Sequence, residues 1–203
     1  EVRAGRSQGA GAERGALGWW GVRWQEYREV PEKDGYDKIV SIGMIEHVGV
    51  KNLPLYFSKL HTLLKNGGAM LIHGITARHP ENRQVGRGAG DFIDKYVFPD
   101  GELPHVSDVM RAMAVEGFEV VDTESLRRHY AKTLTLWANR LDAHPEEAGA
   151  IAGDKRFRIW RVYLAGSAYG FRDNWMNIYQ RLACKVGGSG LDPFPQTRDW
   201  MYR

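Results

Sequence analysis

Three side chains able to move protons stand where apolar strands end. Residues 38–42 form a short, mostly apolar run with Ile39, Val40 and Ile42, and the run stops at Gly43. A carboxylate and an imidazole, Glu46 and His47, follow at once, and a second apolar run, 69–75, carries His73 near its own end. Carboxylates and imidazoles serve as general acids and bases when a reacting group lies within hydrogen-bond reach. Each residue also has an ordinary structural reading. Glu46 suits a helix cap or an Arg partner, His73 a hydrogen-bonded residue inside a strand, and His47 a support for its loop.

The intervening residues say how these groups are held. Residues 38–42 suit a strand buried on both faces. Asn52 can cap a helix whose Leu53, Tyr56, Phe57, Leu60, Leu63 and Leu64 recur at three-to-four spacing, and Asn66-Gly67-Gly68 is its stop. Residues 69–75 then read as a second buried strand. Strand, helix, strand in about forty residues is a βαβ unit, which requires a parallel sheet. Ligands in such sheets bind at the carboxyl ends of the strands, where Glu46, His47 and His73 lie.

Further along, Ser107 is placed to cap a helix to Glu116, with Gly117 as its stop, and 118–123 alternates as a strand. A helix is expected over 131–141, a break at Pro145, and a helix over 155–171 with Phe157, Trp160, Leu164 and Phe171 on one core-facing stripe. Residues 175–184 set Met176, Ile178 and Leu182 against Asn177, Tyr179 and Arg181, the pattern of a half-exposed strand. Val22 to Trp24 reads as a short strand. The long connection 76–105, with Phe92, Tyr96 and Phe98, suits either a lid or a packed helical insertion. His61 falls on the outer side of its helix. The expected organisation is a flexible tail over 1–18, one α/β domain over 19–186 and an irregular tail over 187–203. Gly9-Ala10-Gly11 and the glycines of 86–90 lack the strand and helix that a nucleotide loop needs.

Composition bounds the function classes. A chain of 203 residues with 43% hydrophobic residues and seven Trp supports one folded domain with a real core. A net charge of +3, with Lys and Arg dispersed apart from Arg127-Arg128 and a thinly basic start, leaves no strong nucleic-acid footprint but favours an anionic surface such as a phospholipid membrane. The single cysteine, Cys184, excludes an intrachain disulfide and a cysteine metal cluster. No apolar run approaches the roughly twenty residues of a membrane span, and no metal site is expected. A cytoplasmic protein, at most peripheral to the membrane, is expected.

S-I-G-M-I-E-H-V-G, followed by Y-F-S-K-L-H-T-L-L-K-N-G-G and L-I-H-G-I, resembles the cyclopropane-fatty-acyl-phospholipid synthase family. The resemblance continues through F-I-D-K-Y-V-F-P-D-G-E-L-P, E-S-L-R-R-H-Y-A-K-T-L, R-F-R-I-W-R-V-Y-L-A-G and G-F-R-D-N-W-M-N-I-Y-Q, and covers roughly residues 22 to 185 in order. It implies a Rossmann-like class I methyltransferase fold with helices on both faces of the sheet. It also implies S-adenosylmethionine and a bound bicarbonate as cofactors. By motif match, Glu46, His73 and Tyr130, with the backbone of Ile75 and the side chain of Ser167, correspond to the bicarbonate and acid–base site. Tyr130 also reads as an ordinary aromatic at a helix start. Gln25 and Glu26 correspond to adenine contacts, or to a solvated loop.

The reaction so implied turns a cis double bond of a phospholipid acyl chain into a cyclopropane. The alternatives are a related enzyme that adds a plain methyl to a lipid or small molecule, and a non-catalytic remnant that binds lipid or a partner protein. The oligomeric state stays open, a homo-oligomer included. Two departures from the family stand out. Serine replaces the family's usual cysteine at position 167, keeping a small hydrogen-bonding side chain. No strand–glycine–helix element occurs in residues 1 to 21, so the chain is expected to correspond to the C-terminal part of such a methyltransferase.

Overall fold

The computed structural model describes residues 13–15, 18–20, 24–31, 35–81, 89–186 and 194–202. Most of the expected tail, 1–18, lies outside them, as do Gly9-Ala10-Gly11, Val22, 86–88 and 187–193. β1 (Glu13–Gly15) pairs antiparallel with β2 (Gly18–Trp20); β1 lies within the stretch 1–18 expected to be a tail, and β2 runs from its end into the expected domain. Trp24 is in no strand. Gln25 and Glu26 instead lead into a single 3-10 turn, Tyr27–Glu29.

The βαβ unit forms where the spacing placed it. β3 (Tyr36–Ile42) is followed by the short α1 (Ile45–Val48), then α2 (Leu53–Leu63) and β4 (Leu64–Ala77), which runs parallel to β3. The helix stops at Leu63, ahead of the glycines. Gly67, at φ +73°, instead lies in the irregularity that carries the β3–β4 register from Tyr36↔Leu64 to Lys38↔Ala69. Asn52 precedes α2 without capping it, since its amide donates back to the Val48 carbonyl (2.7 Å).

After α3 (Ala89–Tyr96) and α4 (Val106–Val115) come β5 (Phe118–Ser125), α5 (Arg127–Ala143), α6 (Pro145–Ala152), α7 (Asp154–Arg172) and β6 (Met176–Lys185). The cap of α4 is His105, not Ser107. The His105 imidazole accepts from the Ser107 amide while Asp108 accepts from the His105 amide, a reciprocal box. Gly117, at φ +88°, ends the helix as expected. The last turn of the chain is a 3-10 turn, Asp199–Tyr202, inside the tail expected to be irregular.

The sheet order is β3-β4-β6-β5, with β6 antiparallel to both neighbours. This order corrects two burial expectations. Among the described strands β3 is an edge, so Val40 and Ile42 are 62% and 68% exposed rather than buried on both faces. Conversely β6 is interior and covered on both faces, so it is not half-exposed. One face carries α1, α2 and α4 over a core of Ile45, Leu53, Tyr56, Phe57, Met70, Ile72, Val109, Met113 and Ala183. The other carries α5 and α7 over Leu134, Leu164, Phe171, Met176 and Ile178. Burying these side chains at about 25 cal/mol per Å² of apolar surface is the main stabilising term on both faces. On α7, Leu164 and Phe171 are core, but Trp160 is exposed and opens a groove.

Candidate active site

The end of β3 creates the site. β3 pairs with β4 as far as Ile42↔His73, and Gly43 N–H donates to the His73 carbonyl (2.9 Å). β4 continues beyond this point, so its next outward amide, at Ile75, has no strand partner on that side. The Glu46 carboxylate fills the position, with Ile75 N–H donating to Oε1 at 2.6 Å. A buried amide must find an acceptor, so the sheet's own geometry calls for a carboxylate there. Gly74 makes the approach feasible: a Cβ at that position would stand 2.4 and 2.6 Å from Ile45 and 3.3 Å from Glu46 Oε2.

From the other face, His73 Nε2 and the Tyr130 hydroxyl share a 2.8 Å hydrogen bond between β4 and α5. Tyr130 is seated by Phe171 of α7, with ring centroids 5.5 Å apart. Ser167 is buried one helical turn from Tyr163 and hydrogen bonds its phenol. The structure therefore brings Glu46, His73, Ile75 and Tyr130 to the carboxyl end of β4, with Ser167 reaching it through Tyr163. Expectation from the motif did not include Tyr163, which the α7 stripe hides among core aromatics.

Electrostatics marks the same cluster. Burial pushes the Glu46 carboxyl above its ordinary range, against the opposing pull of the Ile75 and Glu46 amides, His47 and Arg181. Burial pulls the His73 imidazole below its ordinary value, helped by Arg181, so the ring is neutral at pH 7. The Tyr130 and Tyr163 phenols are raised by burial and, secondarily, by the Glu46 charge. Glu46 Oε2 and His73 Nδ1 are buried without a hydrogen-bond partner among the described residues. A carboxylate oxygen, a neutral imidazole and a phenol, with two atoms unbonded, can bind a small polar species and pass a proton to or from it. Among the described residues no metal-ligating cluster occurs.

The other expected residues have local roles. Gln25 Nε2 donates to the Glu29 carbonyl (2.8 Å), and Glu26 caps its own turn and pairs with Arg28. His47 is exposed and packs edge-on against Phe98 (5.6 Å). Phe98 also meets Tyr163 (5.8 Å), and Glu102 N–H donates to the Glu46 carbonyl (2.9 Å), so the 98–102 part of the connection packs over α1. His61 is partly buried against Phe118 rather than free on the surface.

The sequence profile of the mycolic acid cyclopropane synthetase family matches residues 6–181. A probable fatty acid methyltransferase of Pseudomonas putida is 51% identical over 178 residues, 88% of this chain and 45% of that protein. The tuberculostearic acid methyltransferase UfaA1 of Mycobacterium tuberculosis is 39% identical over 80% of this chain and 38% of its own length. The crystal structure of mycolic acid cyclopropane synthase CmaA1 complexed with SAH and CTAB superposes with a TM-score of 0.70 at 34% identity. That match covers 78% of this chain and 58% of the synthase. The mixed α/β sheet thus matches a methyltransferase structure over part of its length, and the chain spans about half or less of the curated relatives named here. The chain belongs to the mycolic acid cyclopropane synthetase family.

Proposed function

We propose that this chain forms the acid–base half of a lipid methyltransferase that uses S-adenosylmethionine to convert a cis double bond of a phospholipid acyl chain into a cyclopropane. The observation that carries the reading is the convergence of Glu46, His73 and Tyr130 on the free end of β4. S-adenosylmethionine supplies an electrophilic sulfonium methyl. Addition of that methyl to the alkene leaves positive charge on the acyl chain, and loss of a proton from the new methyl closes the ring. The site must therefore tolerate a cation, exclude water and accept a proton. A buried carboxylate beside two phenol rings provides the first condition. Phe98 and the 97–102 segment, packed over α1, provide the second.

For the third, the residues fit a bicarbonate. The neutral His73 ring can donate from Nε2 to Tyr130, which frees the phenol O–H to donate to an anion, while Glu46 Oε2 is free to accept from an O–H group. Bicarbonate held by Glu46, His73, Tyr130, the Ile75 backbone and Ser167 would supply the base. Gln25 and Glu26 do not fit the adenine role, because both side chains are spent on their own turn.

The lipid side of the reading rests on the α5–α7 face. A groove of about 400 Å³ between α5, α6 and α7 has Trp137, Leu141, Ile151, Trp160 and Leu164 as its apolar wall, suited to an acyl chain, with Arg140, His144 and Glu147 also lining it. Residues 127–172 hold nine Lys and Arg against four Asp and Glu, so the positive charge is concentrated here, as meeting an anionic phospholipid surface requires. No helix among the described residues is long and apolar enough to cross a membrane.

A second reading, transfer of a plain methyl, is favoured by the names of the fatty acid methyltransferase relatives. Deuterated-methyl S-adenosylmethionine separates the two. The protein, expressed from its natural gene, is supplied with cis-unsaturated phospholipid and the fatty acids are analysed by mass spectrometry. Ring closure removes one deuteron from the transferred methyl, whereas a plain methyl keeps all of its label. Loss of one deuteron together with a cyclopropane fragmentation pattern is expected. Full retention overturns the ring, and no label in lipid overturns lipid methyl transfer.

A further inference from the structure

Alternation along β6 puts Asn177, Tyr179, Arg181 and Ala183 on the face that carries α1, α2 and α4. Arg181 has 0% exposure there, and none of its three guanidinium nitrogens makes a hydrogen bond among the described residues. Buried Arg is normally paired, because an isolated ion in a low-dielectric interior is strongly disfavoured. Its cross-strand neighbours, Ile72 on β4 and Thr123 on β5, carry no charge.

The sheet register shows what does. Two residues before Arg181, Tyr179 lies opposite Gly74, and the Arg181 guanidinium stands 5.5 Å from the Tyr179 ring. Gly74 is the residue on which the Glu46 carboxyl rests, with Oε2 buried and unbonded. A cation and a carboxylate oxygen, each without a hydrogen-bond partner, thus flank the same Gly74–Tyr179 pair.

We propose that Arg181 is a positioning residue that acts through Glu46, as the buried counter-charge that keeps its carboxylate ionised and aimed at the Ile75 amide. The other groups that act on Glu46 are His47 on α1, Tyr56 on α2, Tyr130 on α5 and Tyr163 on α7, with His73 on β4 hydrogen-bonded to Tyr130. The phenols are neutral at pH 7, as is His73, which leaves Arg181 as the permanent cation of the set. The two charges act on each other reciprocally. Burial draws Arg181 down to about 10 and Glu46 draws it back up, while Arg181 opposes the upward push of burial on Glu46. The inference rests on the reading of Glu46 as the site carboxylate, so it is tested without relying on turnover.

The experiment is a set of thermal melts between pH 5 and pH 9 on wild type, Arg181→Met, Arg181→Lys, Glu46→Gln and the double variant Arg181→Met/Glu46→Gln. Removing one member of a buried pair strands the other, so each neutralising single variant should melt about 10 °C below wild type at pH 8. In Arg181→Met the folded-state value of Glu46 rises further above its unfolded value. The stability of that variant is therefore highest below the unfolded value and falls as pH rises through the folded one. The double variant should recover most of the loss and show no such slope, and Arg181→Lys should stay close to wild type.

Equal losses in Arg181→Met and the double variant, unchanged with pH, overturn the proposal and leave Arg181 a packing residue. Should Arg181→Met fail to fold at any pH, a folded double variant supports the pairing and an unfolded one overturns it. The acid limb of the methyl-transfer rate gives a second readout, and it should move to higher pH in Arg181→Met. Intact coupling without lipid product overturns the methyltransferase reading alone, and normal product without coupling overturns this inference alone.

Discussion

Replacing Gly74 by alanine probes the close approach on which the site depends. The backbone at 74 is not in the left-handed region, so a strand Gly→Ala exchange would ordinarily gain about 0.5–1 kcal/mol through reduced chain entropy. Here the new methyl meets the Ile45 side chain at 2.4 and 2.6 Å. Carbon atoms pack best at about 3.5–4.0 Å, so α1 must lift by roughly 1 Å. Overpacking of this kind costs about 1–3 kcal/mol. At about 2–4 °C per kcal/mol for a chain of this size, the melting temperature should fall by about 2–12 °C instead of rising.

The same displacement carries Glu46, whose Oε2 lies 3.3 Å from the added carbon, away from the Ile75 amide. A misplacement of about 1 Å in a reacting group lowers the rate by roughly a hundredfold, so lipid methylation should fall more than folding does. Adding Ile45→Ala removes the atoms that clash. Ile45→Ala alone costs about 2–5 kcal/mol as a core truncation, but in the double variant the two losses should combine to less than their sum by about 1 kcal/mol. The assays are a thermal melt and mass spectrometry of labelled lipid. A Gly74→Ala protein that melts at or above wild type with normal product refutes the steric argument.

Glu46→Gln, assayed where the protein is fully folded, should lower lipid product by about a hundred- to ten-thousandfold, the typical worth of a positioned acid–base group, and near-normal turnover removes Glu46 from the site. His73→Ala and Tyr130→Phe should each slow the reaction, and the pair should act less than additively because they share one hydrogen bond; full additivity in rate measurements argues against a unit. His73 and His61 are both held below their ordinary values, chiefly by burial. Their contribution to stability is therefore present above the unfolded imidazole value, near pH 6.5, and is lost as pH falls through the folded values. Denaturant melts of His73→Gln and His61→Gln should show a shallower acid slope than wild type, and an unchanged slope refutes the assignment. Trp137→Ala and Trp160→Ala should weaken co-sedimentation with vesicles containing anionic phospholipid, most visibly at high salt, where the apolar contribution remains. Unchanged binding would move the lipid face elsewhere.

The short-range features of this fold were legible because local spacing determines them. The helix stripe from Leu53 to Leu63, the Gly117 stop and the carboxylate after β3 all follow from residues a few positions apart. Strand burial was not legible, because it depends on which strands become neighbours. β3 is the more apolar segment yet lies at an edge, and β6 carries Asn177, Tyr179 and Arg181 yet lies between β4 and β5. Arg181 was accordingly read as solvent-facing when it is among the most buried side chains. The α4 cap was misread for a different reason: His105 takes a role more often filled by Ser or Asp. Tyr163 could have been found only from its distance to Glu46, which no motif states.

The edge that β3 forms among the described strands is also a surface on which another strand can pair. Asp37 and Lys38 stand at the start of the strand, and Asp37 is already paired with Lys65. Beyond them, Ile39, Val40, Ser41 and Ile42 form an uncharged stretch, β-branched but for Ser41, with one unpaired row of backbone groups among the described strands. Such an edge is a template on which another extended chain can grow, and proteins usually blunt it with charge, proline or a cover. An edge left open in this way favours self-association, which limits concentration independently of folding stability. A lysine at position 40, projecting outward and remote from the Gly74–Ile75 end of β4, is the change that would relieve adhesion without disturbing the acid–base cluster.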